Sequence, residues 1–176
     1  MKKTILIIFT FLSSLTLFSQ TNANLDKKNG FNKFKLGSNT ELHKKNLKYF
    51  AKNKDNVTFY YYIGSDIQNV FNVKIDKILL GYYKNKLYTI SIDFGVLNDS
   101  VSGKLIRELE KIFGDVEIET NEKSETFEYE WVAAWSTDNI HMQINKMSCS
   151  FEFKPCSVSI FLNSKKIEQE IQNDKF

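Results

Sequence analysis

The chain reads as an α+β protein: antiparallel sheet with two main helices packed on one face and a short C-terminal helix. Three observations carry this. Val101, Leu105, Leu109, Ile112 and Phe113 recur at helical spacing. Two β-prone runs flank Lys84-Asn85, a two-residue hairpin turn. Four more strand-like segments follow Gly114, and short connections between such segments imply antiparallel pairing.

The elements follow in order. Lys2 and Lys3 precede an apolar run from Thr4 to Phe18, and small or polar residues fill Ser19 to Ala23. This is the layout of a secretory signal peptide over residues 1–23, with cleavage after Ser19 or after Ala23. The run is shorter than the roughly 20 residues that span a bilayer core. Residues Gln20 to Asn29 are polar and read as a leader. Ser38 and Glu41 have capping-box spacing, which predicts a helix to about Lys52. On its wheel Leu42, Leu47, Tyr49, Phe50 and Ala51 form an apolar face, and Lys44, Lys45, Lys48 and Lys52 lie opposite.

Strands are expected at Val57–Ile63, Lys74–Tyr83 and Lys86–Phe94. In the last, Tyr88, Ile90, Ile92 and Phe94 alternate with Leu87, Thr89, Ser91 and Asp93, so one face of the strand is core. Asp99 or Ser100 caps the second helix, and Gly114 stops it. Further strands are expected at Asp115–Thr120, Thr126–Trp135, Asn139–Met147 and Ser157–Asn163. Lys165 to Asn173 closes the chain as a short helix. Residues 24–176 make one domain, or two half-repeats of about 30–95 and 96–165 built as α-β-β-β units.

Composition narrows the function. Without Lys2 and Lys3, 22 basic side chains face 21 acidic ones, a net +1. Arg107 is the one arginine. Bidentate recognition of phosphate and base edges leans on arginine, so nucleic acid is not the expected partner. No Gly-x-Ser-x-Gly, His-Glu-x-x-His or glycine-rich phosphate loop is present. His43 lies on the apolar side of the first expected helix and reads as a structural histidine; His141 lies in an expected strand. His141, Met142, Met147, Cys149 and Cys156 crowd one region, but eight strand residues separate His141 from Cys149 by about 26 Å. No metal site, no cofactor and no catalytic residue is therefore assigned.

Cys149 and Cys156 are the only cysteines. In an exported chain they are expected to pair as a disulfide, two free buried thiols being the alternative. The loop they close carries Phe151 and Phe153 beside Pro155. The simpler reading places Cys149, Phe151 and Phe153 on the inner face of one strand. The other makes the two rings anchors for a protein partner, since a stiffened loop loses little entropy on binding.

Charge is segregated. Lys27 to Asp55 holds nine lysines, whereas Asp115 to Glu130 holds seven acids and one lysine. Glu117 and Glu119 share a strand face, as do Glu128 and Glu130. An even-length loop would bring all four carboxylates together, a patch suited to a basic partner or Ca²⁺. An odd-length loop would set them against Phe127, Tyr129 and Trp131. An ordinary solvated face is the simpler account. The same holds for Lys44, Lys45, Lys48 and Lys52, which could otherwise meet anionic lipid.

Leu17 to Gln20, Gly30-Phe31, Phe34-Lys35-Leu36-Gly37 and Tyr82 to Leu87 resemble the corresponding stretches of small exported proteins of the Bacteroidota. More distantly, the organisation is similar to helix-plus-meander envelope modules of the BamE and β-lactamase-inhibitor type. That resemblance implies work by binding other proteins. The expectation is thus a periplasmic or secreted, non-catalytic module with a protein or envelope component as partner. An immunity or inhibitor protein against a toxin or hydrolase outside the cytoplasm is the alternative. No transmembrane segment is expected after cleavage.

Overall fold

The computed structural model describes residues 24–120, 129–147 and 157–175. The expected signal peptide, the Cys149–Cys156 pair with Phe151 and Phe153, and Glu128 lie outside the described residues. No helix among the described residues is long and apolar enough to cross a membrane.

The chain begins with a helical turn over residues 24–28 and a small hairpin of β1 (Gly30–Phe31) and β2 (Phe34–Lys35). Four strands follow as a meander: β3 (Leu47–Lys52), β4 (Thr58–Tyr62), then, after the small hairpin β5 (Asn69–Val70) and β6 (Val73–Lys74), β7 (Lys77–Tyr83) and β8 (Lys86–Val96). Helix α1 (Asp99–Phe113) leads to a second meander of β9 (Ile118–Thr120), β10 (Tyr129–Ser136), β11 (Ile140–Met147) and β12 (Ser157–Ser164). Helix α2 (Lys165–Asn173) ends the fold. The two meanders join in one eight-stranded sheet, ordered β3-β4-β7-β8-β12-β11-β10-β9, with every neighbouring pair antiparallel.

Register shows where the core lies. One row runs Ile78, Ile92, Ile160, Ile144 and Ala133; the next runs Leu80, Ile90, Leu162, Met142 and Trp135. All ten residues are buried. Against this inner face pack Leu105, Ile106, Leu109 and Phe113 of α1, together with Leu25, Phe34 and Leu36. The helix is tied at both ends. Trp135 Nε1 donates to Gly114 O at 2.8 Å, and Lys146 Nζ donates to Asp99 Oδ1 at 2.9 Å and Glu130 Oε1 at 3.0 Å. Its N-cap is Asn98, in place of the expected Asp99 or Ser100, with Oδ1 accepting from the Val101 N–H. Gly114 stops it at φ 92°, a left-handed backbone that suits glycine. Lys84 and Asn85, at φ 46° and 64°, form the expected hairpin turn.

The expected first helix is absent. Residues Thr40–Leu42 and Lys44–Asn46 form two 3-10 turns, and Leu47–Lys52 is strand β3. Asn39, not Ser38, caps the first turn by accepting from the Glu41 N–H. The physical reason is cross-strand pairing: Tyr49 meets Tyr60 at 6.1 Å and Phe50 meets Tyr61 at 4.7 Å between ring centroids. Aromatic pairs across strands outweigh a modest helical preference. Leu42, assigned to an apolar helix face, is 71% exposed. One long helix, not two, therefore covers the inner face.

Tyr88 also departs from expectation. A bulge between Gly81 and Tyr82 shifts the register, so Leu87 joins Ile90 in the core. Tyr88 turns to the outer face, where Ile167 and Ile171 of α2 pack with Val57, Phe59, Tyr83 and Tyr88. The two helices thus lie on opposite faces.

Adjacent residues of β7 carry opposite expectations. A Cβ at Gly81 would sit 2.6 Å from Thr89 Cγ2 and 2.8 Å from Phe59 Cε1. Gly81→Ala is expected to lower stability by about 2 kcal/mol, as overpacking does. Tyr82 is buried and its hydroxyl has no hydrogen-bond partner; burial pushes its pKa up to about 12. Tyr82→Phe removes that unmet group and is expected to raise stability by roughly 1 kcal/mol. Urea unfolding of the two variants checks both signs.

Candidate binding face

Strand alternation places a second set of residues on the outer face. One row across the sheet runs Lys48, Tyr61, Leu79, Ser91, Phe161, Gln143 and Ala134. None of the seven is buried. The next row runs Lys77, Asp93, Ser159, Asn145, Val132 and Glu119. Among the described residues, α2 is the element packed on this side, over one end. The rest of the outer face mixes rings, amides and hydroxyls.

The aromatic part is prearranged. A bulge between Tyr49 and Ala51 puts Phe50 beside Tyr61, and Phe50 remains 51% exposed. Leu79 and Phe161 lie in the same half-exposed row. Rings held on paired strands lose little freedom when a partner arrives. Lys77 bonds Asp93 at 3.0 Å, which keeps that charge pair inside the sheet surface. Asn145 is fully buried, and its amide atoms have no hydrogen-bond partner. An unmet buried amide costs roughly 1–3 kcal/mol, and nothing among the described residues explains it.

The candidates read from the sequence separate. Lys44 pairs with Glu41 at 3.0 Å. Lys45 is exposed in the second 3-10 turn. Lys48 falls on the outer face opposite Tyr61, whereas Lys52 lies opposite Thr58, on the inner side of the edge strand. The four do not form one basic face, because they do not share a helix. Glu119 stands opposite Val132, Glu117 precedes β9, and Glu130 accepts from Lys146. Among the described residues no three His, Cys, Asp or Glu side chains are grouped to hold a metal. The sequence reading missed Phe50, Tyr61, Leu79 and Phe161. Period-two alternation marks the last three once their strands are known; Phe50 depends on a bulge that no pattern signals.

The histidines have different settings. His141 is half-buried on the outer face, with Nε2 3.3 Å from Gln143 Oε1. His43 Nε2 is buried without a partner, and its ring meets Phe34 edge-on at 5.0 Å. Burial, then the Lys33 charge, lower its pKa. Beside it lies a polar clasp: Lys33 Nζ donates to Tyr62 Oη at 2.5 Å and Asp66 Oδ2 at 2.6 Å, and Tyr62 Oη donates to Asp66 Oδ1 at 2.5 Å. The Lys33 ammonium also sits 4.7 Å from the Tyr62 ring centroid. Hydrogen bonds from Lys33 and Tyr62 hold the Asp66 pKa at about 2, while those bonds raise the pKa of Lys33. Both groups stay ionised at neutral pH. Proton transfer there works best with a pKa near the working pH, so the clasp is built to hold the β1–β2 turn to β4.

The clasp and His43 produce two acid-sensitive steps. His43 has a folded pKa below its unfolded value of about 6.5, so the unfolded chain binds the proton first and stability falls as pH drops below that value. Asp66 is depressed below an ordinary value of about 3.9, so its contribution is present above that pH and is lost as pH falls toward about 2. Thermal melts across pH 8 to 2 are expected to show both declines. His43→Gln should remove the first and Asp66→Asn the second.

The chain matches no family model, no curated protein and no solved structure.

Proposed function

We propose that this chain is an exported, non-catalytic module that binds a protein partner through the outer face of its sheet. The observation that carries the reading is the row from Lys48 to Ala134, in which no residue is buried, with the exposed Phe50 ring tilted against Tyr61. One exposed and two partly exposed rings on a rigid sheet, rimmed by charge and amides, have the make-up of a protein-binding surface. Export rests on the Lys2-Lys3 and Thr4–Phe18 pattern and places the mature chain in a periplasm or outside the cell. The Cys149–Cys156 disulfide is part of the same reading. A toxin or hydrolase fits this chemistry as one class of partner, with the chain as its inhibitor.

We also read the fold as a diverged duplication. Each half is a four-stranded meander, and the last strand of each, β8 and β12, meets the other at the centre of the sheet. The first half has 3-10 turns where the second has a helix, so the copies share their strands and not their roofs.

Affinity capture of the tagged mature protein from its native envelope, followed by mass spectrometry, tests the function. A stoichiometric partner is expected, and Phe50→Ala with Tyr61→Ala should weaken its capture about tenfold or more while far-UV circular dichroism stays unchanged. Capture unaffected by that pair but lost in Phe151→Ala/Phe153→Ala would move the contact to the cysteine loop. A partner retained by both variants would refute docking on this face.

A further inference from the structure

The inner face is too wide for its helix. Eight strands at about 4.8 Å spacing span roughly 34 Å, and a helix with its side chains is about 10–12 Å across. Helix α1 is tied to β10 and β11, so hairpins β1–β2 and β5–β6 roof the neighbouring strands. Between helix and hairpins a groove of about 390 Å³ remains. That volume lies within the range of sites that hold small organic ligands, about 300–1,000 Å³.

Its lining is apolar below and basic above. Met142, Ile160 and Leu162 form the floor and are buried in the core rows. Leu109, Ile112 and Phe113 form the α1 wall; Phe31, Val70 and Phe71 form the hairpin wall. Lys28 and Lys35 stand at the rim, where Lys35 Nζ donates to Lys28 O at 2.8 Å and links the two residues. No carboxylate lines the groove, and neither lysine has an acidic partner among the described residues. Lysine presents a compact charge on a long apolar stem, which suits an anionic head above an apolar tail.

We propose that this groove binds a free amphiphile with one apolar tail and an anionic head, of the medium-chain carboxylate class. The tail lies between Ile112 and the partly exposed rings of Phe31 and Phe71, above the buried floor, and the head meets Lys28 and Lys35. The site is on the face opposite the protein-binding rows and does not depend on them.

Calorimetric titration of the mature protein with dodecanoate tests this, with dodecanol as the uncharged comparison. Lys28→Glu/Lys35→Glu changes only exposed side chains, and Ile112→Trp fills the groove from a half-buried wall position. Saturable one-to-one binding is expected, weakened about tenfold or more by each variant and by loss of the ligand charge. Should Ile112→Trp fail to fold, the lysine pair and dodecanol still decide. Absence of saturable binding to the wild type overturns the proposal, as does binding that the lysine pair leaves unchanged. Flotation with phosphatidylglycerol vesicles separates the sources: vesicle capture without dodecanoate binding would assign the attraction to surface charge and also overturn it. Phe50→Ala/Tyr61→Ala should leave dodecanoate binding intact, so failure of the docking face is distinguishable.

Discussion

The antiparallel pairing of β8 with β12 holds the two meanders in one sheet, and both surfaces take their alignment from it. Ile92 faces Ile160 and Ile90 faces Leu162, which joins the apolar rows of the two halves into one continuous floor. The same register sets Ser91 against Phe161 on the outer side. A slip of one residue would exchange these sets, because side chains alternate with a period of two. The buried isoleucines and leucines specify the register, and the outer row is a consequence of their burial.

The two faces are finished differently. The inner face is closed by a clamped helix: Lys146 reaches its first turn, Trp135 holds the carbonyl of Gly114, and the intervening apolar side chains fill the space. Farther along, the cover is made of short hairpins, and the Lys33–Tyr62–Asp66 clasp fastens the first of them to β4. The outer face has α2 at one end only among the described elements. Among the described residues the row from Lys48 to Ala134 stays unburied, while Ser159 and Asn145 in the next row are buried.

Much of this was legible in the residues. The helix from Asp99 to Phe113, the glycine that stops it, the Lys84-Asn85 turn and the closing helix all follow from local rules that act within a few positions. Strand β3 did not, because Leu47, Tyr49, Phe50 and Ala51 satisfy a helical wheel as well as a strand. Its state was decided by Tyr60 and Tyr61, partners supplied by another segment. Tyr88 was misplaced for a similar reason: a single bulge reverses facing, and alternation alone does not show where a bulge falls. The candidate surface was the least legible part, since it depends on which strands adjoin across the centre of the sheet.

The order of the strands also has a consequence in time. Residue 96 completes β8, and 60 residues intervene before β12 begins at Ser157. A chain that emerges from its N-terminus finishes the first meander while its long central edge is still bare. Such an edge is a template for any strand that arrives. The strand that fits it best is β12, and another copy of the chain carries the same one. Crowded, newly emerging copies therefore have a built-in route to exchange halves, giving an intertwined dimer with native contacts and the wrong connectivity.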